Sequence, residues 1–181
     1  MNDRAVKVSK FLALHLRHAP ERIGLTLDEA GWADVGELLS AAAAAGFAIT
    51  RAELDLAVGE PVKRRYAYDE SGTRIRAVQG HSVPVSLGYV ASAPPDELFH
   101  GTVARFLERI LAEGLRPMDR HHVHLSPDVE TARVVGMRRG KPVILRVDAA
   151  ALAAGGAEFF RADNGVWLVA EVPPSALSVM R

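Results

Sequence analysis

Tyr66-Ala67-Tyr68-Asp69-Glu70-Ser71-Gly72-Thr73-Arg74-Ile75-Arg76-Ala77-Val78 reads as two short strands around a polar turn, a β-hairpin. In its second arm the side chains alternate, so Arg74 and Arg76 share one face and Ile75 and Ala77 the other. Upstream, Thr50 followed by Glu53 has the pattern of a capping box and opens a short helix carrying Leu54, Leu56 and Val58, stopped by Gly59 and Pro61. Asp34 with Glu37 repeats the pattern ahead of Val35, Leu38, Leu39 and an alanine run that ends at Gly46. Earlier still, Val8, Phe11, Leu12, His15 and Leu16 form one stripe of an amphipathic helix that ends before Pro20, with Arg17 and His18 at its last turn.

Three helices followed by a hairpin describe a winged-helix-like N-terminal lobe over residues 1–83. Pro84, Gly88, Pro94 and Pro95 mark residues 84–95 as a linker, and a second lobe occupies 96–181. There the spacing predicts a strand over Leu98–Gly101, a helix over Val103–Glu113 and a strand over His122–Leu125. A helix follows, with Ser126 as its cap and Pro127 at its first position. Strands over Pro142–Asp148 and near Glu158–Arg161, and an Asn164-Gly165 turn into Val166–Val172, complete it. The fold class is α+β.

Composition narrows the chemistry. The 181 residues carry 22 basic and 22 acidic side chains, a balance that argues against coating nucleic acid by bulk charge. Two stretches are locally basic. One holds Lys63, Arg64, Arg65, Arg74 and Arg76 against Asp69 and Glu70, the other Arg116, Arg120, Arg133, Arg138, Arg139 and Lys141 against Asp119, Asp128 and Glu130. With no cysteine, thiolate nucleophiles, disulfides and cysteine-ligated zinc are excluded. No apolar run is long enough to span a membrane, and the N-terminus lacks a secretory signal core, so the expectation is a cytoplasmic protein. There is no Gly-rich phosphate loop.

Taken singly, the arginines and histidines keep two readings each. Arg17 and His18 suit a helix C-terminal dipole as well as an anion, and Arg138 and Arg139 share that ambiguity. Arg74 and Arg76 also suit an exposed strand face. His100 also suits a core position beside Phe99. His122 and His124, on one side of a strand, could chelate, but without thiolates or a nearby cluster of carboxylates no metal is expected.

Six segments in order carry a resemblance across about Val8–Val172. They are Ser9-Lys10 with Leu16-Arg17-His18, Arg74-Ile75-Arg76-Ala77 with Gln79-Gly80-His81-Ser82, Leu98-Phe99-His100-Gly101-Thr102, His122-Val123-His124-Leu125-Ser126, Gly140-Lys141-Pro142-Val143 and Asn164-Gly165-Val166-Trp167-Leu168. The chain resembles the RNA 2′-phosphotransferases, similar to the enzymes that remove the 2′-phosphate left by some tRNA splicing pathways. The resemblance implies an RNA-binding winged-helix lobe and an ADP-ribosyltransferase-like, NAD-binding lobe with a split, antiparallel-rich sheet. It implies that Arg17, His18, Arg76 and Arg138 act on the phosphate. It assigns His100, Gly101, Thr102, His122, His124 and Ser126, and more weakly Asn164, to NAD, the co-substrate. Its reaction converts NAD and RNA bearing an internal 2′-phosphate, through ADP-ribosylated RNA, into nicotinamide, a 2′-hydroxyl and ADP-ribose 1″,2″-cyclic phosphate. A monomer is expected.

Two residues depart from the family pattern. Val78 stands where an asparagine is expected, and Arg139 stands where a histidine is common. The alternatives are an ADP-ribosyltransferase acting on terminal phosphates of nucleic acid, or a winged-helix DNA-binding ligand sensor without catalysis.

Overall fold

The computed structural model describes residues 3–60 and 64–180. Lys63 and Pro61, used above, lie outside the described residues. The chain divides into two compact units, Met1–Gly88 and Tyr89–Arg181.

The first unit contains α1 (Asp3–Arg17), a 3-10 turn (Pro20–Ile23), β1 (Ala33–Asp34), α2 (Val35–Ala44), α3 (Arg51–Val58), β2 (Tyr66–Tyr68) and β3 (Arg74–Ala77). The apolar stripe of α1 turns inward as its spacing demands: Val8, Leu12, His15 and Leu16 are buried. The capping box at α3 is complete, with the Glu53 N–H donating to Thr50 Oγ1 and the Thr50 N–H to Glu53 Oε2. At α2 the Asp34 carboxylate accepts from the Glu37 N–H. β3 lies between β1 and β2, all antiparallel, and pairs Arg76 with Ala67 and Ile75 with both Tyr68 and Ala33. The helices and sheet close over Leu12, Leu16, Leu38, Leu54, Tyr66 and Ile75. Leu56 is largely exposed, leaving Leu54 as the buried residue of α3.

The second unit runs β4 (Glu97–Val103), α4 (Ala104–Glu113), β5 (Val123–Leu125), α5 (Val129–Met137), β6 (Pro142–Asp148), α6 (Ala149–Ala154), β7 (Phe159–Arg161), β8 (Trp167–Val169) and β9 (Leu177–Val179). Two antiparallel three-stranded sheets, in order β4-β6-β9 and β5-β8-β7, are bridged at Phe99 and Ser126. Leu98, Leu125, Leu145, Val147, Phe159 and Val169 fill the core.

The cap expected at Ser126 is Asp128 instead. The Ser126 backbone is committed to Phe99, donating to and accepting from it, so the helix starts later, where Asp128 accepts from the Thr131 N–H and hydroxyl. β4 extends two residues at its C-terminal end beyond the expected strand, because the full length of β6 pairs with it, from Glu97 with Asp148 to Val103 with Pro142. Beyond the expected elements stand β1, α6, which opens on an Asp148 cap, and β9, which pairs along β6.

Candidate functional site

Each unit gathers part of the basic and imidazole inventory. In the first, helix α1 ends beside the segment that follows the hairpin. The N–H groups of Ser82 and Val83 donate to the Arg17 carbonyl, and His18 Nδ1 lies 3.0 Å from Ser82 Oγ. Arg17 extends to the Arg65 carbonyl at 3.4 Å, the same oxygen that takes the Val78 N–H, two residues along the chain from Arg76. Two segments far apart in sequence, Arg17-His18 and His81-Ser82, are thereby tied together.

The arginines of this unit lie on aromatic rings. The Arg17 guanidinium sits 5.8 Å from the Tyr66 ring centroid, and Arg76 sits 4.5 Å from that of Trp32. Tyr66 is fixed by its hydroxyl donating to the Ser9 carbonyl at 2.6 Å. Trp32 is fixed by a loop whose Asp28 carboxylate accepts the Ala30 and Trp32 N–H groups and pairs with Arg74. Arg76 Nε is buried and makes no hydrogen bond among the described residues. Val78 is buried and its N–H serves the sheet end, so the family's asparagine position is filled here by a core residue. His81 is buried as well.

In the second unit β4 carries His100, Gly101 and Thr102, with Gly101 facing α5. A Cβ built on Gly101 would stand 1.8 Å from the Ala132 carbonyl oxygen, so only glycine lets the helix pass this close to the strand. Gly136 meets the same crossing from the helix side, 3.1 Å separating its would-be Cβ from the Thr102 carbonyl. Thr102 and Ser126 are buried, and His100 is partly buried with Nδ1 3.2 Å from the His124 carbonyl. Burial pushes the His100 pKa below its ordinary value; the bond to His124 opposes this and the charge of Arg139 adds to it.

His122 precedes β5, and its ring meets Phe160 edge-on at 5.5 Å, with its pKa lowered by burial and by His121. His124, on the strand, points Nδ1 to Arg120 Nη1 at 2.8 Å. The two histidines thus engage different partners, and no group of three or more metal-binding side chains exists among the described residues. Asn164 Oδ1 accepts from the Val166 N–H and shapes the turn between β7 and β8.

Arg138 forms the exposed C-cap of α5, and Arg139 lies 5.8 Å from the Phe106 ring. Burial, then the charges of Arg139 and Arg138, lower the pKa of Arg120. Arg138 and Arg139 thus both act on Arg120, and Arg139 also acts on His100. Arg120 is the member that sequence reasoning passed over. It sits in a loop, counted in the second basic stretch but given no role there, and the further signal it carries is its place four residues before His124. No helix among the described residues is long and apolar enough to cross a membrane.

Residues 3–171 match the family model described as RNA 2′-phosphotransferase, Tpt1 / KptA family. A relative from Streptomyces coelicolor, named "Probable RNA 2′-phosphotransferase", is 60% identical over 171 residues, covering 94% of this chain and 93% of its own. Relatives of the same name from Agrobacterium fabrum (57% identical; 94% and 92% covered) and Trichormus variabilis (53%; 98% and 97%) are similar over the same extent.

Proposed function

The chain belongs to the RNA 2′-phosphotransferase family, and from that premise we propose that it transfers an internal RNA 2′-phosphate to NAD, working through a winged-helix-like RNA lobe and an ADP-ribosyltransferase-like NAD lobe. The observation that carries this reading is the tie between Arg17-His18 and Ser82, with Arg17 reaching the Arg65 carbonyl that also accepts the N–H of Val78, two residues after Arg76.

A 2′-phosphate monoester beside a 3′-phosphodiester concentrates negative charge, and guanidinium edges match its oxygens with paired donors. Arg17 and Arg76 lie on aromatic faces, a contact that orients a guanidinium without itself engaging its in-plane N–H groups. Arg138 completes the set that the family pattern assigns to the phosphate.

The second unit's donors fit a dinucleotide. Burial disfavours the charged form of His100, Thr102 is buried on β4, Ser126 is bridged to Phe99 at the strand junction, and the charges of Arg139 and Arg138 reach Arg120, a concentration of positive charge suited to a diphosphate. NAD, consumed as the second substrate, supplies a ribose carbon from which nicotinamide departs neutral. One phosphate oxygen bonds to that carbon as the glycosidic bond breaks. The adjacent ribose hydroxyl then attacks phosphorus, the RNA 2′-oxygen leaves and takes a proton, and the cyclic phosphate of ADP-ribose remains. The arginines stabilise charge on the phosphoryl oxygens, and His18, bonded to Ser82, moves the proton.

Mass spectrometry of products from NAD and a short RNA with an internal 2′-phosphate tests the reading. Nicotinamide, RNA with a 2′-hydroxyl and ADP-ribose cyclic phosphate are expected, and His18→Ala is expected to accumulate ADP-ribosylated RNA. ADP-ribose appearing only on 5′-phosphorylated ends would replace this reading with end modification. Unchanged NAD would end it.

A further inference from the structure

Two imidazoles of the second unit are bound by groups that hydrogen-bond in one sense only. A carbonyl oxygen accepts and never donates, so His100 Nδ1, facing the His124 carbonyl at 3.2 Å, carries the proton. A guanidinium donates and never accepts, so His124 Nδ1, 2.8 Å from Arg120 Nη1, carries the lone pair. In neutral rings the remaining nitrogens then have opposite characters. His100 Nε2 is an acceptor, and His124 Nε2–H is a donor.

We propose that Arg120 is a positioning residue that fixes His124 as the Nε2–H tautomer, so that the second nitrogens of His100 and His124 have opposite character, one acceptor and one donor, in the unit read as binding NAD. The NAD half of this statement rests on the phosphotransfer reading above; the tautomer half rests on the two contacts alone.

Arginine suits this duty. Its guanidinium is a donor with no acceptor, and arginine keeps its charge although burial, then Arg139 and Arg138, lower its pKa. Putting a proton on His124 Nδ1 would set two donors face to face at 2.8 Å. The arrangement therefore resists the other tautomer. His124 is further tied through its own carbonyl to His100, so the two rings are linked, Arg120 setting the tautomer of His124 and the His124 carbonyl that of His100. The connection crosses between the two sheets, since His100 lies on β4 and His124 on β5.

Long-range proton–nitrogen NMR spectra of the uniformly nitrogen-15-labelled full-length protein test the assignment, with His124→Gln used to identify the signals. The wild type is expected to show His124 with a bare Nδ1 and a protonated Nε2. Arg120→Met should mix the two tautomers and raise the KM for NAD about tenfold. Arg120→Lys, which keeps a donor, should restore most of the wild-type spectrum and KM. A wild-type His124 protonated on Nδ1, or an unchanged tautomer in Arg120→Met, would overturn the proposal. The wild-type spectrum decides even if Arg120→Met does not fold. It is recorded without NAD or RNA, so failure of the phosphotransfer reading would show separately, as no nicotinamide release by the wild-type protein.

Discussion

The two units hold their polar side chains by different means. In the first, guanidinium groups rest on aromatic faces: Arg17 on Tyr66, and Arg76 with Arg74 on Trp32. In the second, imidazoles are gripped by hydrogen bonds from a carbonyl and from a guanidinium. Stacking itself engages no N–H donor: Arg17 and Arg74 spend one each elsewhere, on the Arg65 carbonyl and on Asp28, while the Nε of Arg76 is buried and unbonded among the described residues. Hydrogen bonding consumes one nitrogen of each ring and thereby defines the other. The first arrangement suits a phosphate, which needs several donors at once; the second suits hydroxyls, which need one donor and one acceptor.

The largest expected effect breaks the second arrangement at its backbone. Gly101→Ala would press a methyl group into the Ala132 carbonyl, and urea unfolding should register a loss of roughly 3 kcal/mol, the upper end of ordinary overpacking. A loss below about 1 kcal/mol would mean that α5 can retreat from β4. Next in size, Arg76→Ala should slow phosphate removal by ~100-fold, the scale of one preorganised donor, with the KM for NAD unchanged. Equal damage to both substrates would dissolve the contrast between units.

Trp32→Leu sharpens the stacking side. Phosphate removal should fall about tenfold through loss of the surface beneath Arg76, and Trp32→Phe should recover most of it. Indifference to the ring would assign Arg76's orientation to something other than the indole. The smallest effect concerns the capping box. The Arg4 side chain first, then the Thr50 backbone, hold the Glu53 carboxyl at about 2, below its ordinary 4.5. A carboxylate lowered on folding adds stability above the unfolded value, and that contribution is lost as pH falls from about 4.5 through about 2. Glu53→Gln should flatten the acid limb of a Tm against pH plot slightly, because both partners are solvent-accessible.

Local signals carried the reading where local physics decides the structure. Thr50 and Glu53 satisfy each other within four residues, and the α1 stripe shows its own period, so both elements were legible. Pro142–Asp148 was legible as a strand because its apolar run is bounded by a proline and a capping aspartate. β1 and β9 are two- and three-residue edge strands whose existence depends on β3 and β6, and nothing nearby in sequence announces such pairing. Ser126 carried the right residue type for a cap, but its backbone was already claimed by Phe99, twenty-seven positions away. At the candidate site, the motif segments were visible while their joining was not. The Ser82-to-Arg17 bonds and the Arg120–His124 contact arise from folding, and Arg120 belongs to no motif.

At position 101 the space for a first side-chain carbon is owned by another residue's oxygen. The requirement is steric and independent of any bound molecule. Saturating that codon should leave a single viable allele even when selection is for solubility alone. A descendant that had abandoned the chemistry, exchanging His100 or His124, would still have to keep this glycine for as long as it kept the helix crossing. The glycine thus serves as a fingerprint of architecture, and the histidines beside it as a fingerprint of use.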